Sequence, residues 1–268
     1  MDSIPSVEIY ALNNSQSSEN KIHSDEIAEK FGFKGALVSG MNVFGYLSQP
    51  LVKHFGPAWL SHRILDVKFL KPAYQGDLVR IDSEIVKTSH IQNTVVSKAF
   101  NQTGELLALL ESSSPTPMPS IDNLAYVEGS IETHDRREIE WDLIHLQQPS
   151  YDFTWQPTAE DNKLRVDIQR DTCEIFRGPS AFIHPFYIGE ACNKSLMRMF
   201  ILPAWIHTAS RIILRKSLKI EDKITIKTVP IQKWEKRKHQ FIKLYVAMIV
   251  NHEVAVEVEH SAIFKIAQ

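Results

Sequence analysis

A long apolar segment followed by four short strand-like runs restricts the possible folds of this chain most strongly. From Gly40 to Phe55, apolar residues recur at steps of three and four, which predicts a helix. The segment is apolar on nearly all sides, so we expect the helix to be buried. Pro50 is expected to bend or break it. The strand-like runs that follow span residues 64–70, 78–86, 94–100 and 106–110.

The second half of the chain repeats this order. A helical segment begins near His184-Pro185 and continues to Phe200. Strand-like runs follow at residues 211–217, 224–229, 241–250 and 254–266. Each half therefore predicts one helix followed by an antiparallel meander, which is an α+β layer.

Short sequence matches relate the two halves at nearly one spacing. Pro57-Ala58-Trp59 recurs as Pro203-Ala204-Trp205, 146 positions later. Asp77 corresponds to Asp222 at a spacing of 145, and the turn at Gly104 corresponds to Asn251 at a spacing of 147. Three agreements at nearly one spacing predict an internal duplication with a period of about half the chain.

The duplication predicts two copies of a sheet wrapped around a central helix. Ser and Pro are dense at residues 112–119, which indicates a linker. We therefore expect one repeat over residues 1–112, a linker over 113–122 and a second repeat over 123–268. Two such copies can pair edge to edge, which removes two exposed strand edges. The groove between them is then the natural ligand site.

Charge and hydropathy exclude several classes of partner. The 268 residues carry 30 basic and 32 acidic side chains, which gives a net charge of −2. The chain therefore lacks the excess of basic residues that is typical of proteins that bind nucleic acid. The basic run at 233–239 is more typical of a solvated hairpin turn than of a phosphate-binding patch. No apolar run approaches the roughly 20 residues that span a bilayer. The start of the chain lacks the pattern of a signal peptide, so we expect a soluble cytoplasmic protein without a membrane partner.

The cysteines and histidines do not indicate a metal site. Cys173 and Cys192 are the two cysteines, and they lack the spacing of metal ligands. Neither a disulfide framework nor a zinc site is expected, which fits a reducing compartment. His184-Pro185 is typical of a helix start, and His207 either faces the shared groove or is a satisfied strand-end histidine.

The acidic and amide-rich loop at residues 18–23 carries the clearest signal of chemistry. It ends at His23, and Ser39-Gly40-Met41 begins the apolar helix sixteen residues later. A titratable pair beside a helix N-terminus can activate a water and polarise a carbonyl. His23 has another interpretation as the residue before a helix N-cap, because residues 24–26 are a good helix start.

These residues resemble the MaoC-like (R)-specific enoyl-CoA hydratases, which are hotdog-fold proteins acting on acyl thioesters. The resemblance covers roughly residues 15–110 and rests on an ordered set of segments, at 19–25, 32–35, 38–41, 65–72 and 76–77. The second half resembles a degenerate hotdog repeat. The resemblance therefore implies a tandem double hotdog, a pseudo-dimer within one chain in which one repeat keeps the catalytic loop. Whether two such chains also associate as a homodimer stays open.

The family's loop reads Gly-Asp-x-Asn-Pro-x-His, and the resemblance assigns roles by position. Asn20 and His23 match the family's Asn and His, whereas Ser18 stands at its Asp and Lys21 at its Pro. The family pattern implies that His23 and an acid share the catalytic water. We expect Glu19 either to replace the missing Asp or to be a solvated loop acid.

The resemblance also implies that the thioester carbonyl binds at the start of the apolar helix. The family usually has His-Gly-Met where this chain has Ser39-Gly40-Met41, and the backbone N–H of Gly40 is expected to face the carbonyl. Ser48 matches a serine near the bound thioester. Gly40 alternatively serves close packing, and Ser39 and Ser48 alternatively cap or pack the helix. No metal or separate cofactor is implied, because the substrate itself carries CoA or phosphopantetheine.

We expect an acyl-thioester hydratase or dehydratase that adds water reversibly to a trans-2-enoyl group on CoA or an acyl-carrier protein. Such a lyase would act in fatty acid metabolism. Two alternatives stay open. One is an acyl-CoA thioesterase on the same fold, in which Glu19 or a bound water attacks the carbonyl. The other is a non-catalytic acyl-thioester-binding protein, which the presence of Ser18 keeps open.

Overall fold

An antiparallel sheet of ten strands is the scaffold of the computed structural model, which describes residues 3–88, 92–130 and 135–267. The first half contributes β1 (Val7–Tyr10), β2 (Arg63–Phe69), β3 (Leu78–Thr88), β4 (Gln92–Phe100) and β5 (Leu106–Ser113). The second half contributes β6 (Phe153–Trp155), β7 (Ile206–Leu214), β8 (Ile224–Lys236), β9 (His239–Val250) and β10 (Glu253–Lys265). Within the described ranges the α-helices are α1 (Asp25–Lys30), α2 (Gly40–Phe55), α3 (Ala159–Ile168) and α4 (Phe186–Met199).

The strand order is symmetric about the middle of the sheet. It runs β1-β3-β4-β5-β2 in the first half and continues as β7-β10-β9-β8-β6 in the second, so β2 and β7 pair at the centre. Asp66 on β2 lies opposite Arg211 on β7 and forms an ion pair with it at 2.9 Å. These positions are 145 residues apart, which is the spacing of the sequence matches. The predicted duplication thus appears in space as two matching half-sheets joined along one strand pair.

Helix α2 lies against the sheet of the first half. It contacts β1, β3, β4 and β5, and it also contacts α4 of the second half. All residues from Met41 to Val52 are buried, as the apolar sequence predicts. The helix continues through Pro50 to Phe55, so the predicted break does not occur, because packing on both sides offsets the missing hydrogen bond. Among the described residues, no helix has both the length and the apolar character needed to cross a membrane.

Strands β7 and β8 differ from the sequence-based prediction. β7 begins at Ile206 rather than at residue 211, because its pairing with β10 continues to Ile206 and its pairing with β2 continues to Ala209. β8 continues past residue 229 to Lys236, and its register with β9 shifts between Pro230 and Gln232. A bulge accommodates a proline that cannot donate to the ladder. The basic run forms the β8–β9 hairpin, and Arg237 and Lys238 have positive φ at its turn, which confirms the hairpin prediction.

The segment between the half-sheets is fastened to the second half. β5 ends at Ser113, and the next element is a helical turn at Asn123–Tyr126. The guanidinium of Arg215 donates hydrogen bonds to the carbonyl oxygens of Pro119 and Ser120, at 2.8 and 3.0 Å. Arg215 also forms an ion pair with Glu257 on β10. The segment therefore has a defined course although it contains no strand.

The contact between α2 and α4 predicts a large packing effect at Gly189. A Cβ atom added there would lie 1.4 Å from the Sδ atom of Met41, which is 2% exposed. We expect Gly189→Ala to lower the free energy of unfolding by about 1–3 kcal/mol through overpacking. Urea denaturation measures this change. Met41→Ala alone should cost about 2–5 kcal/mol through a cavity.

A double-mutant cycle separates this packing effect from a general loss of stability. The Gly189→Ala/Met41→Ala protein should be more stable than the sum of the two single effects, because each change relieves the other. Strict additivity would show that the two side chains do not compete for the same space.

Candidate functional site

The loop before α1 is clamped to the second repeat. Residues 21–23 form one 3₁₀ turn, and the side-chain oxygen of Asn20 caps it by accepting a hydrogen bond from the Ile22 amide at 3.3 Å. The same Asn20 amide group pairs with the backbone of Trp205, donating to its carbonyl at 3.0 Å and accepting from its N–H at 3.1 Å. The Lys21 amide donates to the carbonyl of Pro203 at 3.0 Å. The second copy of the repeated segment, Pro203-Ala204-Trp205, therefore anchors the predicted catalytic loop.

The His23 side chain is held in one tautomer. Its Nδ1 atom lies 2.7 Å from the carbonyl oxygen of Leu37, which can only accept, so Nδ1 carries the proton. Nε2 is then an acceptor, and the Asn20 side-chain nitrogen lies 3.4 Å from it. Burial lowers the pKa of His23, and the hydrogen bond to Leu37 opposes that shift only in part. His23 is thus a neutral imidazole with an available base at Nε2.

Two cavities share His23 in their walls. The apolar cavity, of about 230 Å³, is lined mainly by hydrocarbon side chains from both repeats, including Ile22, Leu37, Val43, Phe69, Ile206 and Ile263. The second cavity, of about 190 Å³ and here called the polar cavity, has a larger share of hydrophilic groups, including Asn14, Ser18, Arg165, Glu190 and Lys194, beside apolar side chains such as Phe186 and Met197. Asn20, His23 and Ser39 line both cavities. An apolar chain and a polar group of one ligand can therefore meet at His23.

Helix α2 begins at the wall of the apolar cavity. Ser39 is its N-cap, and the Ser39 hydroxyl oxygen accepts a hydrogen bond from the Met41 amide at 3.3 Å. Gly40 is the first helical residue and lines the apolar cavity. The N–H groups of a first helical turn have no partner within the helix and lie at its positive end. The Gly40 amide is therefore suited to a ligand oxygen in this cavity.

Glu19 does not lie where the sequence predicted a catalytic acid. Its side chain is 58% exposed and forms an ion pair with Arg136 at 2.5 Å. The hydrogen bond from Arg136 lowers the pKa of Glu19. Glu19 lines neither cavity, whereas Ser18, at the position of the family's Asp, lines the polar one. The expectation that Glu19 and His23 share a water therefore does not fit this placement, because the carboxylate is paired with Arg136 outside both cavities.

Ser48 and Met41 serve packing in this structure. The Ser48 hydroxyl is fully buried and donates to the carbonyl oxygen of Gly45 in the preceding turn, at 2.7 Å. Ser48 lines neither cavity, so this position does not agree with the expectation that Ser48 lies near the bound thioester. Met41 packs against Gly189 of α4 and also lines the polar cavity. The hydrogen bond to Gly45 fits the alternative of a helix-packing hydroxyl for Ser48.

His207 lies in the wall of the apolar cavity, where the sequence left its position open. The β7–β10 register shifts between Ser261 and Ala262, which are paired with Ala209 and His207. Thr208 is therefore the extra residue of a β-bulge, and the bulge turns His207 onto the same face as Ser210. No periodic pattern in the sequence reveals a bulge, so the alternation of residues alone could not place this side chain.

Glu190 is a polar wall residue that sequence reasoning missed. Of the described residues that line the polar cavity, it alone has a carboxylate. One carboxylate oxygen pairs with Arg165 at 2.8 Å, and the other is buried without a hydrogen-bond partner among the described residues. Glu190 is on α4, far from the loop in sequence. Only the fold brings it to the cavity that His23 lines.

Comparison with known proteins defines the fold. No protein-family model matches the sequence, and no curated protein matches it. A protein named as a MaoC domain dehydratase from Chloroflexus aurantiacus is 9% identical, with a TM-score of 0.69 over 100% of this chain and 97% of that one. A conserved Mycobacterium tuberculosis protein described as a double hotdog fold is 12% identical, with a TM-score of 0.62 over 98% and 96%. A protein named as an oleoyl thioesterase from Lactobacillus plantarum is 9% identical, with a TM-score of 0.54 over 98% and 96%.

At these identities the likeness establishes the fold and leaves the activity open. The chain has a double hotdog fold, as predicted, and its two repeats form a pseudo-dimer within one chain. Dehydratases and thioesterases both occur among the similar structures. The choice between these activities rests on the residues around His23.

Proposed function

We propose that this protein is an acyl-thioester hydratase that adds water reversibly to a trans-2-enoyl thioester. One observation carries the proposal. The buried imidazole of His23 is fixed by the Leu37 carbonyl, with its basic Nε2 unprotonated and 3.4 Å from the side-chain nitrogen of Asn20, in a cavity wall that also contains the first turn of α2. A base and an oxyanion donor in one cavity are what addition of water next to a thioester carbonyl requires.

In the proposed reaction, His23 both takes and returns the proton. Nε2 removes a proton from water while the resulting hydroxide bonds to C3 of the enoyl group. The electron pair of the double bond moves toward the carbonyl oxygen, where the Gly40 N–H stabilises the negative charge. The His23 imidazolium then transfers its proton to C2. One water is consumed, and the neutral imidazole is regenerated.

The two cavities suggest how the substrate lies. The acyl chain fits the apolar cavity, and the polar cavity suits the amide-rich phosphopantetheine arm that CoA and acyl-carrier proteins share. Lys194 lines the polar cavity and carries positive charge that suits a phosphate, whereas the charge of Arg165 is paired with Glu190. The substrate would itself supply the pantetheine group, so no separate cofactor enters the proposed reaction.

A non-catalytic thioester-binding protein is the second candidate, and Ser18 favours it. Ser18 stands at the family's Asp, and Glu19 is turned outward to Arg136. A protein with this loop could hold a thioester in the same cavities without hydrating it. A thioesterase is the third candidate, supported by the shared fold of the Lactobacillus protein.

Two enoyl thioesters of different length distinguish the three candidates. The protein is incubated with crotonyl-CoA or trans-2-decenoyl-CoA, and enone absorbance, free thiol and binding heat are measured. The proposal predicts loss of enone absorbance without release of thiol. Thiol release would establish a thioesterase instead, and binding heat without either change would establish the binding protein.

A further inference from the structure

The imidazole of His207 faces the helix turn that carries the Gly40 amide. A Cβ atom placed on Gly40 would lie 3.5 Å from Nδ1 of His207, so this nitrogen points at the first turn of α2. The His207 ring packs on Phe69, with ring centroids 4.7 Å apart. Gly40, Phe69 and His207 all line the apolar cavity. The second repeat therefore contributes a polar atom to the place where the first repeat presents its helix N-terminus.

This Nδ1 atom is buried and unpaired. His207 is 7% exposed, and within the described part of the chain its Nδ1 has no hydrogen-bond partner. Its other ring nitrogen, Nε2, lies 2.8 Å from the hydroxyl oxygen of Ser210. A buried polar atom without a partner is destabilising, and a hydrogen bond to a ligand in the apolar cavity would remove that cost.

A second histidine determines the state of this ring. The Ser210 hydroxyl lies 3.2 Å from Nδ1 of His260, and the two imidazole ring centroids are 4.2 Å apart. Burial lowers the pKa of His207 well below its usual value, and His260 adds to that shift. Burial also lowers the pKa of His260 to about 3. Both rings are therefore neutral at pH 7, and one hydroxyl proton lies between them.

The shared hydroxyl allows two aligned chains of hydrogen bonds, which run in opposite directions. When His260 donates from Nδ1 to Ser210, the Ser210 hydroxyl donates to Nε2 of His207. The His207 proton must then lie on Nδ1, the atom that faces α2. In the opposite arrangement Nδ1 is a bare acceptor, which would repel a carbonyl oxygen. The positive end of α2 attracts an oxygen, so a bound carbonyl selects the first arrangement.

We propose that His207 contacts the substrate, and that its Nδ1–H donates a hydrogen bond to the thioester carbonyl oxygen beside the Gly40 amide. Ser210 and His260 are positioning residues that complete the hydrogen-bond chain to His207 in this tautomer. The inference rests on the proposed thioester site but requires no hydration. In this arrangement both repeats contribute to the carbonyl site, because Gly40 belongs to the first repeat and His207 to the second.

Infrared spectroscopy of a bound carbonyl tests this contact without any reaction. Butyryl-CoA labelled with ¹³C at its carbonyl has no double bond to hydrate, and it is added to the intact protein. We expect the carbonyl stretching frequency to fall on binding to the wild type. His207→Phe should abolish most of that fall, and His207→Gln, which keeps an N–H donor, should restore part of it. Glu19→Gln, which changes a residue that lines neither cavity, is the control and should keep the full shift.

The outcomes separate this inference from the proposed hydration. A full shift in folded His207→Phe would overturn the role of His207 and leave the hydratase proposal intact. A shift that depends on His207 in a protein that does not hydrate crotonyl-CoA would support His207 and reject hydration. Failure of butyryl-CoA to bind the wild type would overturn both.

A measurement on the wild type covers the case in which His207→Phe does not fold. Nitrogen-15 NMR of labelled histidines reports which ring nitrogen carries the proton. With butyryl-CoA bound, His207 should be neutral and protonated at Nδ1. A bare Nδ1 in the complex would overturn the inference. In turnover of crotonyl-CoA, loss of this donor should lower kcat by about a hundredfold, with a smaller change in KM.

Discussion

Replacement of His23 by alanine is expected to lower the rate of crotonyl-CoA hydration by about 10²–10⁴-fold, the usual contribution of a general acid–base group. The expected loss has a structural cause. Nε2 of His23 is the proposed base, and alanine has no group that could take its place. In the wild type, Nδ1 is bonded to the Leu37 carbonyl, so the base is Nε2 and not Nδ1. The measurement is kcat/KM from loss of enone absorbance, with circular dichroism to verify the fold.

Glu19→Gln is the matched control for this experiment. Glu19 is four residues before His23, but its carboxylate is exposed and paired with Arg136. An exposed ion pair contributes little to stability, and no step of the proposed reaction uses this carboxylate. The rate should be unchanged in Glu19→Gln. A large loss there, or a wild-type rate in His23→Ala, would contradict the assignment of the base.

Gly40→Pro is expected to lower kcat by about 10²–10³-fold, because it removes the proposed oxyanion donor and leaves the helix in place. Proline is well tolerated at the first position of a helix, where its missing N–H has no helical partner. Ser39 has φ −56° and ψ 134°, which is compatible with a following proline. The effect should appear in kcat for crotonyl-CoA hydration while the unfolding midpoint changes little.

Gly40→Ala distinguishes a lost donor from added bulk. Its Cβ would meet Phe69 at 3.4 Å and His207 at 3.5 Å, which are close to ordinary contact distances, and it keeps the N–H. Gly40→Ala should therefore retain much more activity than Gly40→Pro. Equal losses in both variants would show that the space in front of Gly40, rather than its amide, determines the rate.

Much of the fold could be predicted because the duplication repeats strong local signals. The apolar segment from Gly40 to Phe55 has helical periodicity, and its burial follows from its composition. The matching spacing of about 145 residues predicted two related halves. The predictions that differ from the structure concern the ends of single elements. β7 begins five residues before the predicted start, and Pro50 does not end α2, because tertiary packing overrides weak propensity.

The candidate site could be predicted only where its residues are adjacent in sequence. His23, Asn20, Ser39 and Gly40 come from the loop and the helix start, and all four line the apolar cavity. For Glu19 the sequence left two alternatives open, and its ion pair with Arg136, 117 residues away, fits the solvated loop acid. His207 depends on a β-bulge and on cross-strand neighbours that no local pattern reveals.

The pH dependence of kcat/KM for crotonyl-CoA tests the central claim most directly, since that claim is a buried, neutral imidazole at position 23 acting as the base. Burial lowers the pKa of His23 below the ordinary histidine value of 6.5. A base works in its neutral form, so activity should be constant through neutral pH and decline only as the pH falls well below 6.5. A decline that begins above that value, or no hydration at any pH, would contradict the account.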